Sequence, residues 1–409
     1  MPARATPALG LHKCKSRATV ALEMVARRVG EVEISGIRRM FEAARPDCIN
    51  LGLGEPDFDP PKEIVAALVQ ATRHGANHYG PTAGLPPLRR LVAELYADRL
   101  PATTMENVII TSGGSEALMA CALALYDPGD EVLVPDPGFV LYAPHARLMG
   151  ARPVPYPLNE RDGYLPQIEE IEHRITPRTT AIVVNSPSNP TGAVFPRATV
   201  DAIIALAERH RLTIVSDEVY DRITYETPAT SFWGRTDRAV VVNSFSKTFA
   251  TTGWRLGFVV APRPLVGPIG KMHYHIMACP STPAQQAVLV GLTTSLGTTR
   301  AMVQEFRGRR DLVMRELARV PGMHCVRPNG AFYVFPSFDW PESASEVAMG
   351  LLEAGLITTP GDSFGAHGAN HLRISFAASR DDLTRGLGIL RRYAEQLTAR
   401  SSPRARYDP

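Results

Sequence analysis

Residues 240–257 read VVVNSFSKTFATTGWRLG. A β-branched run, Ala239 to Val242, ends in Asn243-Ser244-Phe245-Ser246, and Lys247 follows directly. Arg255 stands eight residues later, within Gly253-Trp254-Arg255-Leu256-Gly257. Such an apolar run reads as a buried strand, and a lysine flanked by hydroxyls just past it suggests a site at the carboxyl end of a sheet. The chain holds five lysines (Lys13, Lys15, Lys62, Lys247 and Lys271) against 39 arginines. Where surface charge is wanted, this protein nearly always uses arginine. A lysine directly after a buried strand therefore stands out, and amine chemistry is one reason for it. A Schiff base needs a primary amine that can lose its proton, which a guanidinium cannot supply. The competing reading is an ordinary surface lysine after a strand, and the stretch alone does not choose between them.

The chain has 409 residues, of which 44% are hydrophobic. That suffices for two domains, or for one large domain with a lobe. The net charge of +3 is close to balanced, and no basic run suggests a nucleic-acid partner. No apolar run reaches the roughly 18 residues needed to span a membrane. Met1 to Arg17 is basic but lacks the apolar centre of a signal peptide. Five cysteines, Cys14, Cys48, Cys121, Cys279 and Cys325, are odd in number and widely scattered. Neither a disulfide framework nor a zinc or other metal site is expected, and the cytoplasm is the expected compartment.

Taken in order, residues 1–20 carry no periodic pattern and read as a flexible arm. Ile37 to Ala44 has helical amphipathicity, and Cys48 to Leu51 is strand-like. The turn-rich run Gly52-Leu53-Gly54-Glu55-Pro56-Asp57-Phe58 follows. Helices are expected over Pro61–Thr72 and Leu85–Leu100, with Tyr79 in the loop between them. Val108 to Thr111 reads as a strand that breaks at Ser112-Gly113-Gly114-Ser115 before an apolar helix, Glu116 to Tyr126. A strand, a glycine turn and a helix N-terminus together can form an anion site, because free backbone N–H groups and the helix dipole both favour a phosphate, whereas a Gly-Gly-Ser turn alone is more often only a tight turn. Further strands at Glu131–Val134, Thr180–Asn185, Leu212–Ser216, Ala239–Val242 and Leu256–Val260 alternate with helical patterns. This implies a largely parallel sheet covered on both faces. The pattern changes near Ser295. A long helix, Thr299–Ala318, precedes strands at Gly330–Pro336 and His371–Ala377 and helices at Ser343–Ala354 and Arg380–Thr398. We read this as a smaller α+β lobe.

Four more groups fall at strand ends or within the last strand. Asn189 lies in Ser188-Asn189-Pro190-Thr191-Gly192, and Asp217 and Tyr220 in Asp217-Glu218-Val219-Tyr220. Phe139 closes Asp136-Pro137-Gly138-Phe139, and Arg373 lies in the last strand-like segment. Singly, each has a plainer reading: a helix cap for Asp217, a turn residue for Asn189, core for Phe139, a surface ion pair for Arg373. Their joint occurrence in this order is the signal.

With these residues in hand, the sequence resembles the fold-type I, pyridoxal-phosphate-dependent aminotransferases of class I/II, in the subgroup of bacterial aspartate aminotransferases. The matching motifs are S-F-S-K-T-F-A-x-T-G-W-R-L-G, N-P-T-G, D-E-V-Y and G-E-P-D-F, in order, and the resemblance covers roughly Glu31 to Leu397. It implies a three-layer αβα large domain with a mostly parallel mixed sheet, plus a smaller α+β domain. The expected division is residues 1–20 as an arm, 21–60 and 295–399 as the small domain, 61–294 as the large cofactor-binding domain, and 400–409 as a flexible tail.

The resemblance also implies roles. Lys247 is the expected Schiff-base lysine and proton shuttle, since proton transfer needs a pKa near working pH. Asp217 pairs with the pyridine nitrogen, so that the ring can accept electrons. Asn189 and Tyr220 donate to the ring oxygen, and Phe139 stacks on the ring where the best-known members carry tryptophan. The phosphate sits on the Gly114 and Ser115 amides, with Ser244, Ser246 and Arg255 closing round it. Tyr79 reaches the phosphate of the partner subunit in a homodimer, and the Ser281-Thr282 segment crosses likewise. Arg373 forks the substrate carboxylate, assisted by Asn189 and the Gly54 backbone. The Asp136–Pro137 and Asn189–Pro190 bonds are expected cis.

The implied reaction moves the amino group of an L-amino acid to a 2-oxo acid in two half-reactions. Its substrate side chain is not legible; His273, Tyr274 and His275 form an unusual cluster that is a candidate for the pocket wall, against the plainer reading that at least one of them is core or interface. Two alternatives stay open. One is a lyase or synthase on the same fold, such as a C–S lyase. The other is a regulator with an aminotransferase-like effector domain, against which stand the mere thirty or so residues ahead of the homologous region.

Overall fold

The β-branched runs govern the architecture. In the computed structural model, which describes residues 25–32, 36, 40, 42 and 44–401, they form one seven-stranded sheet. The strands of the chain are β1 (Ile49–Asn50), β2 (Val108–Thr111), β3 (Glu131–Asp136), β4 (Arg152–Pro157), β5 (Thr179–Asn185), β6 (Thr213–Asp217), β7 (Ala239–Ser244) and β8 (Gly257–Val260). Shorter ones follow: β9 (Met323–His324), β10 (Tyr333–Val334), β11 (Ser337–Phe338), β12 (Leu356–Ile357), β13 (Thr359–Pro360) and β14 (Leu372–Ser375). The large sheet has the order β2-β8-β7-β6-β5-β3-β4. All its neighbours pair in parallel except β8, which runs antiparallel to β2 and β7. Every residue of β2, β3, β7 and β8 is buried, as near-continuous apolar strands covered on both faces must be.

The covering helices are α1 (Lys62–Arg73), α2 (Pro86–Tyr96), α3 (Gly113–Leu125), α4 (Tyr142–Leu148), α5 (Ile168–Glu172), α6 (Arg197–His210), α7 (Phe245–Thr248), α8 (Arg263–Ile276) and α9 (Thr282–Thr294). Apolar side chains of α3 pack on one face of the sheet, with Ala117 and Cys121 against Val132, Val183 and Val240. Ile203 and Ile204 of α6 join Ile182 and Ile214 in a second cluster, and Val288 of α9 joins Ile110 and Val260 in a third.

Beyond α9 lie α10 (Leu296–Leu317), α11 (Ala344–Glu353) and α12 (Arg380–Ser401). They share one apolar cluster with Ile49 and Leu51, far away in sequence. β1 pairs in parallel with β12, and β14 lies antiparallel between β10 and β13. The expected strand at Gly330–Pro336 is thus shortened to two residues, and the one at His371–Ala377 to four. The expected arm over residues 1–20 lies outside the described residues. So does most of the expected helix Ile37–Ala44, and the tail after Ser401.

Two local departures have clear causes. β4 (RPVPYP) was not anticipated, because proline reads as a strand breaker; it sits at the sheet edge, where a missing donor is tolerated. Helix α3 starts at Gly113, three residues before the expected start. Glycine is a poor helix former, but here nothing larger fits. A Cβ on Gly113, whose φ is +78°, would lie 2.7 Å from Arg255 Nη2, and one on Gly257 would lie 2.9 Å from the Gly114 nitrogen.

Candidate active site

Strands β3, β5, β6 and β7 end in Asp136, Asn185, Asp217 and Ser244, so polar groups converge where the apolar strands stop. One cleft there is lined by Gly54, Gly114, Ser115, Phe139, Asn189, Asp217, Tyr220, Ser244, Ser246, Lys247, Arg255 and Arg373. These are all the expected site residues except Tyr79. Asn185, Tyr333 and Leu118 also line it and were not anticipated.

Lys247, on the short helix α7, is half-buried, and its Nζ donates to the Gly54 carbonyl oxygen at 2.6 Å. Burial, with the Arg373 and Arg255 charges assisting, lowers its amine to about 8 against the opposing pull of Glu55 and Asp217. The free amine is therefore accessible near neutrality as the minority form, far more so than for an ordinary lysine. Asp217 is buried at the end of β6. Burial raises its carboxyl to about 6, although Tyr142, the Val219 amide and Lys247 counteract that rise. Tyr142 Oη donates to Asp217 Oδ2 at 2.7 Å, and the Val219 amide donates to Oδ1 at 3.3 Å. Tyr142 is another residue the sequence did not reveal: it lies in α4, with nothing local to mark it as polar-facing. Its ring meets Phe139 edge-on, centroids 5.7 Å apart.

Asn185 organises the neighbouring loop. Its Nδ2 donates to the Asp217 carbonyl at 3.0 Å, and its Oδ1 accepts the Asn189 amide at 2.8 Å. Asn189 Oδ1 in turn accepts from Arg373 Nη1 at 3.0 Å. The bonds Asp136–Pro137 and Asn189–Pro190 are cis, as expected, and Ser186–Pro187 is a third.

Arg373 is 1% exposed. Its hydrogen-bond acceptors are Asn189 Oδ1, the Gly52 carbonyl and Thr359 Oγ1, all neutral. Its Nε has no partner, and the guanidinium lies 4.6 Å from the Tyr333 ring centroid and 5.0 Å from that of Phe364. A buried cation compensated only by neutral acceptors and aromatic faces is set up for an anion. Tyr333 Oη also shares a hydrogen bond with Tyr220 Oη at 2.8 Å.

On the same cleft, Gly113 to Ser115 form the first turn of α3, whose backbone N–H groups have no acceptor within the helix. Ser244 Oγ accepts the Ser246 amide at 3.2 Å and caps α7. Ser246 Oγ is buried without a partner. Arg255, held at φ +53°, donates from Nη1 to the Thr252 carbonyl at 2.9 Å.

Tyr79 lies elsewhere. It is 89% exposed and borders a surface hollow with His78, Ser281 and Thr282, where Thr282 Oγ1 donates to the His78 carbonyl at 3.0 Å. The cluster His273-Tyr274-His275 does not line the cleft: His273 is buried beneath α3, and Tyr274 is exposed. Among the described residues, no group of three or more His, Cys, Asp and Glu side chains could hold a metal ion, and no helix is long and apolar enough to cross a membrane.

The family profile described as aminotransferase class I and II matches residues 46–390. A probable aspartate aminotransferase of Methanocaldococcus jannaschii is 39% identical over 379 residues, covering 91% of this chain and all of that protein. An aspartate/prephenate aminotransferase of Thermus thermophilus is 39% identical over 350 residues, 83% of this chain and 89% of its own. Among solved structures, the Thermus thermophilus aspartate aminotransferase with maleate superposes with a TM-score of 0.84 at 35% identity, covering 90% of this chain and 99% of that one. Family and fold imply pyridoxal phosphate as cofactor. The donor set suits such a group: an orphaned hydroxyl on Ser246, a glycine turn where a Cβ on Gly113 would meet the Arg255 guanidinium, that guanidinium itself, and a buried carboxylate on the same cleft. The chain belongs to the class I and II aminotransferases and is an enzyme that transfers amino groups of amino acids.

Proposed function

We propose that this enzyme exchanges an amino group between an L-amino acid and a 2-oxo acid in the cleft that Lys247 lines, with the substrate carboxylate on Arg373. The observation that carries the reading is Arg373 itself, a buried guanidinium with neutral acceptors and an unpartnered Nε, on the same cleft as an amine lowered to about 8. Pyridoxal phosphate, when bound, supplies a ring that draws electrons away from the substrate Cα. Asp217 would hold the proton on the ring nitrogen, with Tyr142 fixing the carboxylate. Asn189 Oδ1 is occupied by Arg373, which leaves its amide nitrogen to donate to the ring oxygen beside Tyr220. Phe139 would cover the ring face. The Gly114 and Ser115 amides, Ser244, Ser246 and Arg255 would hold the phosphate. Lys247 Nζ takes the proton from the substrate Cα, a transfer suited to an amine whose pKa lies close to neutrality. Gly54 assists at the carboxylate end, its carbonyl orienting Lys247.

The working unit we propose is a homodimer in which Tyr79 reaches the phosphate of the partner subunit. Its full exposure, next to the Ser281-Thr282 segment and away from its own cleft, supports that reading. Residues 21–60 and 295–399 are proposed to form the smaller domain around 61–294, supported by the apolar cluster that unites Leu51 with Leu356 and Leu387. The cytoplasm is the proposed compartment, supported by the free thiols of Cys48, Cys121, Cys279 and Cys325. Aspartate, named for both relatives, is the amino donor proposed first. The test converts the purified enzyme to its pyridoxamine form and screens acidic, aromatic, aliphatic and basic 2-oxo acids for recovery of the starting absorbance. An acidic oxo acid should react fastest, and failure of every class would overturn the aminotransfer reading.

A further inference from the structure

The first histidine of the unusual His273-Tyr274-His275 cluster is placed where helix α3 meets the loop that carries Tyr79. His273 is 0% exposed. Its Nδ1 lies 2.9 Å from Glu116 Oε1, and its Nε2 lies 2.9 Å from the Thr82 carbonyl oxygen. A carbonyl can only accept, so Nε2 carries a proton. The other nitrogen faces a carboxylate whose second oxygen, Oε2, already accepts the Ser112 amide at 3.0 Å. The ring is thus held between two acceptors, which suits an imidazolium. Burial opposes that charge, but the hydrogen bond and charge of Glu116 outweigh it and hold His273 above the ordinary histidine range.

Glu116 stands in the first turn of α3, directly after the Gly113-Gly114-Ser115 amides. A bare carboxylate there would use up the positive end of the helix and repel an incoming phosphate. Thr82 belongs to the loop that carries Tyr79. That loop is further tied at Ala83, whose carbonyl accepts the Ile110 amide at 3.0 Å, and at Leu85, whose amide donates to Gln285 Oε1 at 2.7 Å. His273 therefore touches both the helix expected to bind phosphate and the loop expected to reach the partner subunit.

We propose that His273 is a positioning residue for the cofactor phosphate: as an imidazolium it neutralises Glu116 at the mouth of α3 and ties that helix to the Tyr79 loop. This rests on the reading of the Gly114-Ser115 turn as the phosphate site. The test compares binding of pyridoxal phosphate and of pyridoxal, which lacks the phosphate, to apoenzyme of wild type, His273→Gln, Glu116→Gln and the double variant, with thermal melts as the folding control. His273→Gln should weaken pyridoxal phosphate by at least about tenfold and leave pyridoxal unchanged, because the phosphate alone meets the uncompensated carboxylate. The double variant should recover most of that loss, since the offending charge is gone. Glu116→Gln alone should bind pyridoxal phosphate at least as tightly as wild type, and this arm stands even if His273→Gln fails to fold. Equal weakening of both ligands, a double variant no better than His273→Gln, or a weakened Glu116→Gln would overturn the role of His273. A wild type that does not discriminate between the two ligands would instead overturn the phosphate site, and this proposal with it.

Discussion

Tyr142 Oη donates to Asp217 Oδ2 at 2.7 Å, a contact between two buried groups 75 residues apart in sequence. The tyrosine is one of the groups that offset the burial raising Asp217 to about 6. Asp217 must be ionised to hold a proton on a ring nitrogen, so activity should fall on the acid side as that carboxyl takes up a proton. Tyr142→Phe removes a donor to the carboxylate and should move that acid limb of kcat/KM upward by roughly half a unit to one unit. A limb that stays in place would mean that Tyr142 does not act on Asp217. Asp217→Asn should keep cofactor but lose about 10²-fold or more in kcat, as expected for a lost buried charge-assisted contact.

The same carboxyl makes a stability prediction for the apoenzyme. Its folded pKa, about 6, lies above its ordinary value of 3.8. Between those values the folded protein keeps a proton that the unfolded chain has released. The resulting stability is fully present below the unfolded value and is lost as pH rises through about 6. Asp217→Asn has no such proton. Its stability relative to wild type should therefore increase between pH 4 and 7, by on the order of 2 kcal/mol. Urea titrations of both apoproteins at the two pH values measure this directly, and a pH-independent difference would contradict it.

Lys247 is expected to be the attachment point. Borohydride treatment of the holoenzyme followed by peptide mass mapping should place the pyridoxyl mass on Lys247, and Lys247→Ala should fold but not turn over. In the apoenzyme, acylation of this amine should have its midpoint near 8, well below that of surface lysines. An adduct on Lys271 would sink the assignment.

Arg373 has no carboxylate among its hydrogen-bond partners. Arg373→Ala should raise KM for both the amino acid and the oxo acid by about 10²-fold or more, since each would lose the same bidentate contact. The absorbance of bound cofactor should stay unchanged. An unaltered KM for either substrate would remove the guanidinium from the carboxylate site.

Subunit mixing tests Tyr79. Lys247→Ala and Tyr79→Ala should each be nearly inactive as homodimers. After exchange, a mixed dimer has one site with intact Lys247 from one subunit and intact Tyr79 from the other, so activity should reappear. Proven exchange without recovery would show that Tyr79 acts within its own subunit.

What the sequence determined by itself was whatever is written in neighbouring residues. The apolar runs at Ala181–Val184 and Ala239–Val242 imply buried parallel strands, because a strand covered on both faces needs an apolar side chain at every position. The single lysine after such a strand and the glycine turn before α3 likewise carry their chemistry locally. Only the tertiary structure decided what each polar group faces. Tyr142 turns to Asp217, Tyr333 to Tyr220 and Arg373, and Asn185 spans two loops. His273 leaves the pocket wall to bridge α3 and the Tyr79 loop, while Tyr79 itself stands in solvent. Burial and hydrogen-bond partners come from segments up to hundreds of residues away, as with Lys247 and the Gly54 carbonyl, so the pKa of an amine or carboxyl exists only once the chain has closed around it.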